Sequence, residues 1–307
     1  MGTSLNHPLI SVLVIAYNSA KTIIETLDSI KKQTYPELEL IVTDDCSSDN
    51  TIFITKKWIE NNHGRFIRVK LVTSAQNTGI SANYNRGEDE CSGEWIKCIA
   101  GDDILLQNCI QLNMDYVMEH PDTEILFSMT EPFGGKIDHS LIAYDPFHLS
   151  PVEQLDFLIN KGNFIPASTA FYKLERFRSL GIRCDERIPL LDDWPKWIVC
   201  LQKGVKFSFI EEKTVKYRLN GTSANLRWPS INYYRSLRLF ELFYRYPLRC
   251  QNDYSKQVRS IVEYECAEYN RLLNAYKTPE YRLGRMLLYP LILIRRFVII
   301  LRRKLSK

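Results

Sequence analysis

The sequence predicts an α/β protein with a mostly parallel sheet flanked by helices. Within residues 9–129, short apolar runs rich in Val and Ile alternate with helical patterns. Continuous apolar runs are typical of strands buried on both faces, and alternation of strands with helices is typical of a parallel sheet. Apolar residues make up 45% of the 307 residues and charged residues 25%, which excludes disordered and fibrous chains.

The predicted elements of this region follow one another over short connections. Residues 9–16 form the first strand, and the next helix has Ile23, Leu27 and Ile30 on one face. Further strands are predicted at 38–43, 66–73, 94–100 and 124–129, with helices ending near Trp58, opening at 77–79 and spanning about 106–119.

The pattern after residue 130 is less regular. Residues 131–165 contain Gly134-Gly135 and scattered prolines, which favour loops and a short helix. The strand-like stretch ASTAFY precedes a helix, and the segments LLDDWPKWIVCLQKG and FSFIEEKTVKYRLNG follow, the second of them strand-rich. From residue 231 onward, interleaved aromatic, Leu and Arg residues predict a C-terminal helical extension.

The last 26 residues are strongly basic, unlike the rest of the chain. Residues 282–307 contain eight Lys or Arg and no acid, so the rest of the chain has 32 bases against 36 acids. Apolar runs at 286–294 and 297–301, separated by Arg295-Arg296, are shorter than the ~20 residues that cross a bilayer. We expect an amphipathic helix at a membrane surface. A core or dimer helix is the alternative, and nucleic acid is not an expected partner.

Cysteine usage and the N-terminus indicate the compartment. The eight cysteines are scattered, without CxxC pairs or zinc spacing, and most lie in apolar runs. We therefore expect reduced thiols in a cytosolic body. The first apolar stretch is only strand length and predicts no signal peptide. The expected location is the cytoplasm, peripherally on the inner face of the cell membrane.

Polar residues follow three of the predicted strands. These clusters are Ala16-Tyr17-Asn18, Asp44-Asp45 and Asp102-Asp103. Ligands of open parallel sheets bind at the carboxyl ends of the strands. The sequence has neither GxGxxG nor a P-loop motif. A carboxylate pair holding Mg²⁺ or Mn²⁺ is another way to bind a diphosphate, although each acidic pair alone also fits a turn or helix cap.

A further acidic pair, Asp192-Asp193, stands between Leu190-Leu191 and Trp194. Apolar neighbours raise carboxyl pKa values, which suits a general base near neutral pH. Acidic residues are also favoured at a helix N-terminus. The two interpretations are compatible.

The chain resembles the family 2 glycosyltransferases, which have the GT-A (Rossmann-like) fold. The resemblance covers about residues 8–225 and rests on motifs in the family's order: ISVLVIAYNSAKTIIETLDSIKKQTYPELELIVTDDCSSDNT, NTGISANYNRG, GEWIKCIAGDD, LLDDWPKWI and VKYRLNGTS. It implies a GT-A domain at 8–225. We assign a helical extension packed on that domain to 226–281 and the basic tail to 282–307.

The resemblance also implies residue roles. Asp45 would accept a hydrogen bond from the nucleotide base, typically uracil, and Asp102 would contact ribose or sugar hydroxyls. Asp103 would ligate the Mn²⁺ or Mg²⁺ that holds the diphosphate. The remaining predicted nucleotide-sugar contacts are Ala16, Tyr17, Asn18, Asp44, Asn77 and Arg218.

The catalytic base would be Asp193, the second acid of the family's Glu-Asp pair. This chain has Asp-Asp instead, so Asp192 remains an alternative base. The family often has His where Asn220 stands, which leaves the role of that position open.

The implied reaction is metal-dependent, inverting transfer of a hexosyl or N-acetylhexosaminyl group from a nucleotide-sugar, with UDP expected. The acceptor would be a saccharide or lipid-linked hydroxyl, in bacterial-type surface polysaccharide synthesis, with residues 131–165 contributing to its site. A nucleotidyltransferase would need a Gly-rich, basic loop after the first strand, and AYNSAK is not one. A non-catalytic partner of another transferase is the remaining alternative. The sequence predicts no particular sugar or oligomeric state.

Overall fold

The computed structural model describes residues 7–135, 144–219 and 231–249. This part contains one eight-stranded sheet with the strand order β3-β2-β1-β4-β7-β6-β8-β5. The strands are β1 (Ile10–Ala16), β2 (Leu38–Asp44), β3 (Arg68–Thr73), β4 (Trp95–Ala100), β5 (Ile104–Leu105), β6 (Ile125–Phe133), β7 (Phe171–Lys173) and β8 (Phe207–Arg218). The predicted α/β fold with a sheet flanked by helices is confirmed.

The first four strands that the alternating pattern predicted are mutually parallel. β1 pairs with β2 and with β4, and β2 pairs with β3, all in parallel register. β6 and β8 are also parallel, whereas β7 runs antiparallel to β4 and β6, and β5 antiparallel to β8. The sheet is therefore mixed, and its parallel half has the carboxyl ends of four strands at one edge.

Helices cover the sheet and extend the chain beyond it. They are α1 (Ile23–Lys31), α2 (Thr51–Asn62), α3 (Ile80–Asp89), α4 (Cys109–Glu119), α5 (Pro151–Asn160), α6 (Leu174–Ser179), α7 (Asp193–Gln202), α8 (Ile231–Phe240) and α9 (Tyr246–Arg249). A π-helical turn, Glu241–Arg245, joins α8 to α9. Within the described residues, no helix is long and apolar enough to span a bilayer.

The core lies between the sheet and its helices. The side chains of Val12, Val14, Leu40 and Val42 are completely buried, as continuous apolar strands require. α3 approaches the sheet at Gly87, where a Cβ atom would lie only 2.5 Å from Leu13 Cδ1. This close contact fixes α3 over β1 and β2.

The observed elements differ in detail from the expected ones. Residues 63–65 form a 3₁₀ turn, so β3 starts at Arg68 instead of residue 66. β6 continues to Phe133. The short helix expected among the loops of 131–165 is α5, whose Ser150 and Glu153 form a capping box. Residues 231–249 are helical as predicted. The predicted tail at 282–307 and most of the predicted extension lie outside the described residues.

Candidate functional site

The parallel half of the sheet brings the three polar clusters to one edge. Ala16 pairs with Asp44 across β1 and β2, and Ile15 pairs with Ala100 across β1 and β4. Residues 16–18, 44–45 and 101–103 therefore leave neighbouring strands at their carboxyl ends. The alternating pattern predicted that these clusters follow strand ends, and the strand pairing places them at the same edge of the sheet.

The turns after β1 and β2 are joined side by side. Ser48 N donates to Asn18 Oδ1 at 2.8 Å, and Asn18 N donates to Ser47 Oγ at 2.8 Å. Both turns need left-handed backbone, with φ of 51° at Asn18 and 62° at Cys46. The Tyr17 side chain is 46% exposed, so its ring is accessible beside these joined turns.

The two aspartates after β2 have different surroundings. Asp44 is fully buried and accepts hydrogen bonds from Ser47 N at 2.8 Å and Ser47 Oγ at 2.5 Å. Its carboxylate therefore stabilises the turn, and its predicted contact with a nucleotide-sugar stays a prediction.

Asp45 instead faces the start of α3. Its carboxylate accepts from Thr78 N, Gly79 N and Thr78 Oγ1 at 2.6–3.0 Å. Arg86 Nη2 adds a contact of 3.4 Å, and Asn77 Nδ2 donates to the Asp45 carbonyl at 3.3 Å. These donors hold the Asp45 carboxylate in one orientation, where its oxygens are hydrogen-bond acceptors.

The pair after β4 contains Asp103, whose pKa is shifted strongly. Asp103 is 2% exposed, and burial together with the neighbouring Asp102 charge raises the pKa of Asp103 to about 8. The Arg218 backbone N–H donates to Asp103 Oδ1 at 2.9 Å. Without a partner, a buried carboxyl with a raised pKa disfavours its charged form. A bound cation would stabilise that charged form.

Arg218 closes this corner of the site. Its Nε donates to the Asp102 carbonyl at 2.7 Å and its Nη2 to Glu25 Oε2 at 2.5 Å. The guanidinium lies 4.4 Å from the Phe133 ring centre. Arg218 is thus beside the acidic pair, and its predicted contact with a diphosphate stays a prediction. Asn220 lies outside the described residues.

The donor set fits a divalent cation that also takes ligands from a diphosphate. Within residues 7–135, 144–219 and 231–249, no group of three or more His, Cys, Asp or Glu forms a cation cage. Mg²⁺ is commonly held by one or two carboxylates together with phosphate oxygens and water. Asp103, with Asp102 beside it, could supply these one or two carboxylate ligands.

The third acidic pair lies at the start of α7, as the sequence allowed. Asp192 is the N-cap residue and Asp193 is the first residue of the helix. Burial and the Asp193 charge raise the pKa of Asp192 to about 7, and burial also raises the pKa of Asp193. A pKa near 7 is suited to a group that accepts a proton at neutral pH.

Both oxygens of Asp193 are held in place. Trp194 N donates to Oδ1 at 2.7 Å, and Asn163 Nδ2 donates to Oδ2 at 2.8 Å. Asn163 was missed by the sequence analysis, because it lies in a stretch without periodicity or a recognisable motif. Only the fold brings it to Asp193.

The segment before α7 links this pair to α3. Ser81 Oγ donates to the Ile188 carbonyl at 2.8 Å, and Ser81 N to the Pro189 carbonyl at 3.4 Å. Gly79 lies so close to Pro189 that a Cβ would be 2.6 Å from Pro189 Cβ. The start of α3, which holds Asp45, and the segment leading to Asp192 are therefore in direct contact.

Comparison with known proteins agrees with this architecture. Residues 11–172 match the family model described as glycosyl transferase family 2. The amylovoran biosynthesis glycosyltransferase AmsB of Erwinia amylovora is 26% identical over 225 residues, which cover 68% of this chain and 69% of AmsB.

Two further proteins are similar over parts of their length. The Escherichia coli UDP-Glc:alpha-D-GlcNAc-diphosphoundecaprenol beta-1,3-glucosyltransferase WfgD is 31% identical over 112 residues, 36% of this chain and 42% of WfgD. The structure of S. aureus TarS 1–349 in complex with UDP-GlcNAc matches with a TM-score of 0.61 at 20% identity. That match covers 76% of this chain and 66% of the TarS chain, and it shows a shared fold.

Proposed function

The chain belongs to glycosyltransferase family 2, and on that premise we propose that it moves a sugar from a nucleotide-sugar, with UDP as the expected nucleotide, to a hydroxyl group of its acceptor. One observation carries the proposal: Asp45 and Asp103 follow neighbouring strands at the carboxyl edge of a parallel sheet, and the segment leading to Asp192-Asp193 contacts the start of α3, which holds Asp45. Each has the surroundings that one part of this reaction requires.

The donor would bind over the turns after β1 and β2. The exposed Tyr17 ring offers an apolar face to a base, and Asp45 offers a carboxylate acceptor to an N–H of that base. The TarS structure with UDP-GlcNAc, which shares this fold, supports UDP as the expected nucleotide.

Asp103 would hold Mn²⁺ or Mg²⁺, with Asp102 beside it oriented toward ribose or sugar hydroxyls. The bound ion would neutralise the charge that develops on the departing nucleoside diphosphate. Arg218 is positioned to add a guanidinium on the same side, provided that it exchanges its contact with Glu25 for a phosphate.

Asp193 would remove the proton from the acceptor hydroxyl, while Trp194 N and Asn163 keep its carboxylate oriented. Asp192, with a pKa raised to about 7, is the alternative base. The attack of the hydroxyl on the face opposite the leaving group breaks one bond as the other forms, so the anomeric configuration inverts. This mechanism needs no nucleophilic carboxylate.

The acceptor is proposed to be a saccharide or lipid-linked saccharide in bacterial-type surface polysaccharide synthesis. The printed names of AmsB and WfgD, one with amylovoran biosynthesis and the other with a diphosphoundecaprenol acceptor, support this choice. The basic tail at 282–307 would keep the enzyme at the membrane where such acceptors reside. Deleting this tail should release the protein from the membrane fraction and reduce activity on the lipid-linked acceptor.

The proposed transfer is tested by incubating the protein and Mn²⁺ with UDP-Glc, UDP-GlcNAc or GDP-Man and a lipid-linked saccharide. Product anomers are assigned by proton NMR. We expect a UDP-sugar to be used with inversion, Asp193→Asn to abolish transfer, and Asp115→Asn, on the exposed face of α4, to retain it. Retention of configuration would overturn the mechanism, and exclusive use of GDP-Man would overturn the donor.

Two other functions remain less well supported. A nucleotidyltransferase would need a basic, Gly-rich loop where AYNSAK stands after β1. A non-catalytic partner would have no need for a buried carboxyl beside a second one at the strand end, nor for Asp192 with a pKa near 7.

A further inference from the structure

A buried ion pair joins the base-bearing helix to the helix that holds Asp45. Lys196 on α7 and Glu88 on α3 are 1% and 3% exposed, and Lys196 Nζ lies 3.2 Å from Glu88 Oε1. Tyr172 of β7 donates its hydroxyl hydrogen to Glu88, and its oxygen lies 3.3 Å from Lys196 Nζ. Neither charge belongs to the three acidic pairs of the site.

The surroundings of Lys196 are aromatic. Its ammonium lies 4.2 Å from the Tyr84 ring centre, 4.6 Å from that of Tyr172 and 5.5 Å from that of Phe177. Burial alone disfavours the ammonium, but the Glu88 carboxylate opposes this, and the pKa of Lys196 is raised. Lys196 is therefore a cation.

Stability does not explain such a pair. Taking two charges out of water costs several kcal/mol per ion, and well-packed apolar residues in place of a buried pair are often as stable or more stable. Retention of both charges suggests a use that apolar residues could not provide. The nearest groups with a use for charge are the carboxylates at the start of α7.

Lys196 is one helical turn after Asp192, so the two side chains lie on the same face of α7. The Asp193 charge raises the pKa of Asp192, and Lys196 lowers it. Other titratable groups that act on these residues include Cys98 on β4, Cys184 before α7, Cys200 on α7 and Tyr233 on α8. Tyr84 and Tyr172 contact the ammonium, and Arg245, which is paired with Glu241, lies over the Trp194 ring.

The three cysteines and Tyr233 do not supply a positive charge. Burial raises the pKa of Cys98 and of Cys200 to about 12, and it also raises the pKa of Cys184. The pKa of Tyr233 is raised by burial and by Asp193. All four are neutral at pH 7. Lys196 is the cation that acts on Asp192, and Glu88 is its counter-ion.

We propose that Lys196 and Glu88 are positioning residues for sugar transfer, which fix the first turn of α7 against α3 and favour the anionic form of the Asp192-Asp193 pair. This inference rests on the proposed function, in which that pair supplies the base. Lys196 acts through the field of its ammonium, and Glu88 limits that field and holds the ammonium in place.

The test uses variants with opposite expected effects. Lys196→Met removes the cation and should raise the pKa of the pair by about one unit. Glu88→Gln removes the counter-ion, while the rings of Tyr84, Tyr172 and Phe177 still favour the ammonium. The field of Lys196 is then unopposed, so the pKa of the pair should fall. The double variant K196M/E88Q leaves no buried charge and should give a pKa between those of the wild type and K196M.

The pKa values are measured in the full chain by carboxyl ¹³C NMR of aspartate-labelled protein, with Asp192→Asn and Asp193→Asn for assignment. This titration needs no substrate, so it tests the proposal even if the protein uses none of the nucleotide-sugars. With an active donor, the acidic limb of kcat/KM should shift in the same directions. Opposite shifts support the proposal. Shifts of the same sign in K196M and E88Q would overturn it. If K196M does not fold, the absence of a shift in folded E88Q and K196M/E88Q would also overturn it.

Discussion

Asn163 and Asp193 are joined by a hydrogen bond of 2.8 Å between Nδ2 and Oδ2, although 30 residues separate them. The same Asn163 accepts from Ile165 N through Oδ1 at 3.1 Å, so its amide has a fixed orientation. The carboxylate of Asp193, the proposed base, is thereby held in one orientation. The bond also favours the charged form and lowers the pKa of Asp193, against the effect of burial.

The first prediction concerns Asn163. Asn163→Ala should reduce kcat/KM about tenfold at pH 7 and move its acidic limb to higher pH, because Asp193 loses a donor to its charged form. Asn163→Asp should be worse than Asn163→Ala, since it puts a second negative charge against Asp193. A purely structural role predicts the reverse order, because Asp retains the acceptor for Ile165 N. Asn61→Ala, on the surface of α2, is the matched control.

The second prediction concerns the cost of keeping Asp103 buried. Its pKa in the folded protein, about 8, is above that of an unfolded Asp, so the folded state binds the extra proton. The free energy of unfolding of metal-free protein should therefore fall as pH rises from about 4 to about 8. Asp103→Asn does not titrate and can still accept from Arg218 N, so it should be more stable than the wild type at pH 9, by about 2 kcal/mol or more.

Urea denaturation in EDTA at pH 5, 7 and 9 measures this difference. The stability gain of Asp103→Asn should be largest at pH 9 and small at pH 5, whereas Asp115→Asn should show no such trend. Parallel pH dependence of the wild type and Asp103→Asn would contradict the assigned pKa.

The third prediction concerns the contact between Gly79 and Pro189. Gly79 has φ of 94°, and a Cβ there would lie 2.7 Å from the Pro189 carbonyl oxygen. Gly79→Ala should lower the free energy of unfolding by about 3 kcal/mol, which combines backbone strain with the clash, and should weaken nucleotide binding through Asp45. Gly204→Ala, with φ of 79° and open space around its Cβ, should lose only about 1 kcal/mol and bind normally. Equal losses in denaturant titrations would show that the contact is unimportant.

The sequence predicted the part of the fold that depends on local pattern. Strands β1, β2 and β4 are mostly apolar, and each ends at an acidic or polar cluster, so the edge of the sheet could be inferred from them. The short strand β7 could not be inferred as antiparallel, because its direction depends on pairing with Trp95 and Ile125, which are far away in sequence. Contacts of that kind have no local signal.

The candidate site divides in the same way. Asp45, Asp103 and Asp193 stand in motifs and were predicted, whereas Asn163, Gly79 and the pair Lys196–Glu88 act through partners from other elements. Asp44 also stands in a motif; in the fold its carboxylate accepts from Ser47, and its predicted contact with a nucleotide-sugar stays a prediction.

The measurement that tests the central claim most directly is calorimetric titration with UDP and with GDP, each with and without Mn²⁺. UDP should bind more tightly with Mn²⁺ in the wild type and in Asp115→Ala, and this dependence on Mn²⁺ should be lost in Asp103→Ala. Equal binding in Asp103→Ala would contradict the assignment of Asp103 as the metal ligand. Absence of binding to either nucleotide in the intact protein would contradict the nucleotide site itself.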